Sequence, residues 1–112
     1  MEKIDRQKVY EKFNGHCAYC GKEINLKEMQ VDHIDPKIGG GTDNIENLYP
    51  SCRDCNNYKY HSSIELWRNY IENIYNELQK SAKWRVAEKF GIFERKNDKV
   101  EFYFEKFNND KN

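Results

Sequence analysis

Neither sign of charge prevails in this sequence: 19 basic residues face 19 acidic ones, for a net charge of zero. That balance argues against nucleic-acid binding by bulk charge, since such domains are usually basic. Binding follows local potential, however, and three basic groups stand out: Lys3, Arg6, Lys8 and Lys12; Arg53 and Lys59 around the second cysteine pair; and Lys80, Lys83, Arg85 and Lys89. Most of these read as solvated helix faces. There is no run of 18 apolar residues, so no membrane span is expected. The opening MEKIDRQKVYEKF has no apolar stretch of signal-peptide type, and a cytoplasmic, reducing location is the expectation. Apolar material is scarce throughout, at 38% hydrophobic residues and a mean hydropathy of −1.09. A chain of 112 residues suits one domain, 1–112, with a core small enough to gain from a metal or disulfide staple. Two tryptophans, eight tyrosines and six phenylalanines offset part of that shortage, because each ring buries a large area.

The pattern along the chain predicts an α+β domain. Ile4 to Asn14 reads as a helix, with Asp5 as cap, Ile4 and Val9 as hydrophobic staple, Val9 and Phe13 on one face and Gly15 after its end. Met29–Asp35 contains a short strand with Val31 as its expected buried residue, and Pro36 stops its ladder. Ile38–Asn44, with three consecutive glycines, predicts a flexible loop. Ile45–Ser51 returns as the second arm of a hairpin, anchored by Leu48. A helix is expected from about Arg53 to Tyr60, and Ser62 with Glu65 makes a capping box for the next. Trp67, Ile71, Ile74 and Leu78 form an apolar helical stripe, read as packing, with a dimer contact through Trp67 and Trp84 as the lesser option. Ala82, Val86 and Phe90 predict a further helix ending at Gly91. Val100, Phe102 and Phe104 alternate with polar neighbours, which predicts a short C-terminal strand before a fraying NNDKN tail.

Cys17-Ala-Tyr-Cys20 and Cys52-Arg-Asp-Cys55 are two CxxC turns. Together they supply four thiolates, enough to close the shell of a tetrahedral zinc and leave no position for substrate. In a reducing compartment this outweighs disulfide pairing, and the zinc's binding free energy then becomes folding free energy. His16 beside Cys17 reads as a loop histidine rather than a substitute ligand.

Between and after these pairs stand Asp32-His33, Asn47-Leu48, Asn56 and Lys59. A histidine can act as general base near neutral pH. A carboxylate and an amide oxygen are hard donors that suit Mg²⁺ or Mn²⁺, and lysine suits phosphate as a point charge. Singly, Asp32, Asn47 and Asn56 could serve only turns and caps, and His33 could be a hydrogen-bonded surface residue.

Taken in order, CAYCG, VDHIDPKIGGGTDNIENL and CRDCNNYK resemble the HNH endonucleases, the ββα-metal or His-Me finger nucleases, over about residues 13–60. The FYFEKF ending is similar to that of small phage and prophage members. The resemblance implies a zinc-stapled, treble-clef-like ββα-metal finger with flanking helices and an extension over 61–107. It implies that His33 is the general base, Asn47 helps orient the histidine and the loop, and Asp32 and Asn56 hold the catalytic Mg²⁺ or Mn²⁺. Asn56 stands where many members carry a final histidine, a change that favours Mg²⁺ over softer ions. His61 is a runner-up ligand, expected off the metal-facing side. Lys59 or Arg53 would hold phosphate, DNA (double-stranded) would be the substrate, and the products would carry 5′-phosphate and 3′-hydroxyl ends. Adjacent strand residues point to opposite faces, so a shared site for Asp32 and His33 predicts irregular backbone near Asp32. The competing reading is a non-catalytic zinc module that binds nucleic acid or protein with the same four cysteines.

Overall fold

Val9, Met29 and Leu48 meet at the centre of a core in which none is more than 2% exposed, with Ile4, Tyr10, Ile24, Leu26 and Val31 packed around them. The computed structural model describes residues 3–110. They fall into two units, one running up to Ile64 and resuming at Glu101, the other Glu65–Val100. The C-terminal segment groups with the finger.

In the first unit, α1 (Arg6–Glu11) starts where Asp5 accepts a hydrogen bond from Lys8 N–H at 3.2 Å. It ends where Gly15, at φ +80°, donates to Tyr10 O. The basic residues of α1 are not simply solvated. Arg6 donates to Leu26 O and Met29 O at 2.7 and 2.9 Å. Lys12 donates to Ile45 O and Leu48 O at 2.8 and 2.7 Å and lies over the Tyr49 ring. These cations thus bind backbone carbonyls of the loops and strand ends around the sheet.

A knuckle follows, closed by Cys17 N–H on Lys22 O and Gly21 N–H on Cys17 O. Strands β1 (Gln30–His33) and β2 (Leu48–Ser51) pair antiparallel, with Asp32 opposite Tyr49 and His33 opposite Leu48. Helix α2 (Arg53–Lys59) completes the ββα unit. The buried residue of β1 is Asp32, 4% exposed, whereas Val31 is only partly buried. Residues 34–47 carry short regular segments on both sides of the glycine loop. Two single-turn 3₁₀ helices, Lys37–Gly39 and Ile45–Asn47, frame it, and Gly41 N–H donates to Pro36 O. Gly41 lies so close to Asp35 that an added Cβ would sit 1.7 Å from its carbonyl oxygen. Here the glycines allow tight approach.

The expected C-terminal strand is a helix, α6 (Tyr103–Asp110). Glu105 reaches back to Phe102 N–H at 2.9 Å, half of a capping box. The first helical N–H groups, of Tyr103 and Phe104, donate to Tyr19 O and Ala18 O of the knuckle. Phe102 is buried against Tyr19, and Phe107 meets Phe13. Aromatic spacing of three and four residues satisfied the helix as well as alternation satisfied the strand. Lys111 and Asn112 of the tail expected to fray lie outside the described residues, and α6 runs through the preceding three.

Helix α3 (Ile64–Glu72) leads into the second unit and continues through a turn at Asn73 into α4 (Ile74–Leu78). It starts one residue later than a Ser62 cap would place it, and Glu65 pairs with Arg68 instead. Trp67 is 1% exposed and so is not available for a dimer contact. Helix α5 (Ala82–Lys89) ends at Gly91 as expected. Two of the apolar residues that predicted it, Val86 and Phe90, are exposed. Among the described residues no helix is long and apolar enough to cross a membrane.

Candidate active site

The four cysteine sulfurs lie within 4.8 Å of one another, with Cys20 and Cys52 3.8 Å apart. A tetrahedron with metal–sulfur bonds of ~2.3 Å has edges of about 3.8 Å, so Cys17, Cys20, Cys52 and Cys55 fit zinc. All four are free thiols. The Cys55 thiol, which donates to it, lowers the Cys17 pKa to about 4. Burial pushes Cys20 up to about 11, and Cys55 rises because it shares its proton with Cys17. One sulfur thus takes the negative charge and its neighbours resist taking more, the arrangement a dication relieves. His16 takes no part: its ring faces Phe13 O and Asn14 O and stacks on Tyr103.

Next to this staple is an open cleft of about 470 Å³, lined by Asp32 and His33 from β1, Asn56 from α2, and Tyr60 and His61 beyond it. Three of the residues singled out in the sequence therefore share one cavity. The strand is nonetheless regular through His33, and the irregularity expected near Asp32 is absent. It begins at Ile34, where the chain bends away. His61 lines the same cleft rather than turning away from it.

Asp32 is held by two neighbours. Tyr19 O–H donates to its Oδ2, and Lys59 Nζ lies 3.1 Å from the same oxygen. Burial raises the Asp32 pKa, while Tyr19 and Lys59 oppose the rise. Oδ1 has no protein partner among the described residues, and neither has the Asn56 side-chain amide. Lys59 is not a surface lysine. It is 0% exposed and also donates to His33 O at 3.0 Å, so it cannot meet a phosphate. Arg53 is exposed, but it borders a different cleft, with Glu28 and Gln30.

His33 has a partner that the sequence reading missed. Its Nε2 lies 2.7 Å from Asp43 Oδ1, and Lys37 holds the other carboxylate oxygen at 3.1 Å. The His33 hydrogen bond and then Lys37 hold the Asp43 carboxyl below its usual range. Asp43 is therefore an acceptor at neutral pH, which puts the ring proton on Nε2 and the lone pair on Nδ1. Among the described residues the Asn47 side chain makes no hydrogen bond to His33. It accepts from Asp35 N–H and donates to Asp35 O and Thr42 O, clamping the loop that carries Asp43. A general base needs an orienting acceptor, and that requirement was the signal for Asp43; Tyr19, inside a CxxC turn, gave none.

Comparison with known proteins adds the following. The family model described as HNH endonuclease matches residues 17–62. A CRISPR-associated endonuclease Cas9 of Corynebacterium diphtheriae is 36% identical over 63 residues, which cover 55% of this chain and 6% of that protein. The SPbeta prophage-derived YoqL of Bacillus subtilis, named as an HNH endonuclease, is 31% identical over 94 residues, 72% of this chain and 40% of YoqL. The crystal structure of the type II-C Cas9 enzyme from Actinomyces naeslundii superposes with a TM-score of 0.53 at 32% identity, covering 57% of this chain and 7% of that one. The chain thus spans less than half the length of each of these relatives.

Proposed function

We propose that this chain, whose residues 17–62 match the HNH endonuclease family model, is a metal-dependent endonuclease that hydrolyses DNA phosphodiester bonds with His33 as general base. The observation that carries the reading is the shared cleft of Asp32, His33 and Asn56. Zinc on the four cysteines is structural. The unpartnered Asp32 Oδ1 and the Asn56 amide oxygen are hard donors fitted to Mg²⁺ or Mn²⁺. Such an ion, when bound, supplies charge neutralisation at the scissile phosphate.

The chain's own residues do the rest. Asp43 accepts the Nε2 proton of His33 and fixes the tautomer, so Nδ1 is free to take a proton from the attacking water. As His33 becomes cationic, the Asp43 carboxylate stabilises it. Asn47 acts one step removed, by holding the loop of Asp43. Tyr19 and Lys59 hold Asp32 so that one oxygen stays turned from the protein. Lys59 thus exchanges the phosphate role expected of it for positioning. The four thiols remain available to metal in a reducing compartment, the cytoplasm.

Cleavage of plasmid and of single-stranded DNA in Mg²⁺ or Mn²⁺ is the test. His33→Ala should retain zinc and the folded spectrum yet lose at least ~10²-fold in rate, the scale of a general base. Absence of metal-dependent cleavage by the parent chain, or equal cleavage by His33→Ala, would end the proposal.

A further inference from the structure

One backbone feature at the cleft is used neither by the zinc staple nor by the His33–Asp43 pair. Tyr60 has φ +53° and ψ −119°, and Ser62 N–H donates to Lys59 O at 2.9 Å. Residues 59–62 therefore form a turn close to type II′, with tyrosine where glycine is the residue of choice. Among the described residues the other non-glycine position at positive φ is Asn14, a residue type that tolerates it. Strain of this kind persists where the surroundings impose it, and it clusters at functional sites. Burial does not compensate here, because Tyr60 is 73% exposed. Its ring lies 4.1 Å from that of His61, tilted by 46°. Both rings line the cleft of Asp32, His33 and Asn56, as does Ile38, which is 81% exposed.

We infer that Tyr60, flanked by His61 and Ile38, is a stacking subsite for a nucleobase next to the scissile phosphate. The inference rests on the nuclease reading and narrows its substrate class. A nucleotide whose phosphate enters this cleft carries a base within reach of its rim. The exposed tyrosine face brings no negative charge to repel the backbone, and every base has a face to lay on it. A base inside continuous duplex is covered on both faces and must first be turned out, at an unstacking cost that single-stranded or gapped DNA has already met. The chain should therefore prefer DNA that is unpaired at the cut.

The test compares binding of fluorescein-labelled mixed-sequence 20-mers, single-stranded and fully duplex, by anisotropy in Mg²⁺. His33→Ala is the background, so that nothing is cut. The single strand should bind more tightly. Tyr60→Ala should weaken single-strand binding by about tenfold, the lower range for loss of one stacked base, and change duplex binding less than about twofold. Tyr60→Phe should bind like the parent. Tyr60→Gly should melt at a higher temperature, since it relieves the turn, and still bind single strands as weakly as Tyr60→Ala. Equal losses on both DNAs, no loss, a parent that prefers duplex, or a Phe variant that behaves like Ala would each overturn the subsite. Cleavage by the chain with histidine restored is a separate readout. If it fails while the binding pattern holds, the nuclease reading falls and the stacking site stands.

Discussion

Asp43 and Lys59 show how a residue's role follows from its surroundings rather than its type. Asp43→Asn keeps the shape but cannot enforce Nε2 protonation, so kcat should fall by about 10²-fold with KM little changed. Asp43→Glu should recover part of the loss. The ¹⁵N shifts of the His33 ring, recorded at one pH, should show the tautomer released in Asp43→Asn; an unchanged tautomer in that variant would remove Asp43 from the mechanism. Lys59, fully buried against Asp32, should act on stability first. Lys59→Ala leaves an uncompensated buried carboxylate and should cost about 3–5 kcal/mol in urea unfolding. Removing a lysine that served phosphate would instead lower the salt dependence of DNA binding and leave unfolding unchanged. Tyr19 was not legible beforehand, and the acceptor that His33 requires could not be identified as Asp43, because these partners lie 13 and 10 residues apart along the chain and adjacency in sequence says nothing of adjacency in space.

The elements around the cleft divide into those that sequence pattern specifies and those that contacts decide. Helices α1 and α2, the hairpin strands and the Leu48 anchor follow from caps, apolar spacing and the cysteine turns. The loop over residues 34–47 does not: three glycines suggest freedom, yet Gly41 is needed because Asp35 O occupies the space of any side chain. Gly41→Ala should open the loop that Asn47 clamps, displace Asp43 and lower kcat about tenfold or more, on the scale of losing a positioned base. Zinc content, measured by metal analysis, should be unchanged. In α6, alternation of aromatic and polar residues suggested a strand. The deciding partners are Tyr19 O and Ala18 O, which accept the first N–H groups of a helix. Glu105→Ala should remove the reach back to Phe102 N–H and cost about 0.5–2 kcal/mol, the range for helix N-terminal caps, as a lowered urea midpoint.

The apolar centre of the first unit is small, so a zinc ion on the four cysteines should contribute much of that unit's stability. Chelation should unfold it, with loss of helical circular dichroism, and added zinc should restore it. Zinc binding should release protons, since burial and neighbouring sulfurs hold Cys20 and Cys55 protonated at neutral pH in the metal-free chain. Retention of the metal should therefore weaken as pH falls, which a chelator competition at two pH values measures. The sequence by itself determined the four-cysteine cluster, the ββα order and the residues that share the cleft, because ligand spacing, residue chemistry and period are local properties of the chain. Only the tertiary structure decided that Asp43 orients His33, that Lys59 is buried under Asp32 and that the last segment is a helix. Each of those depends on which carbonyl, carboxylate or ring comes within hydrogen-bond reach once the chain has folded.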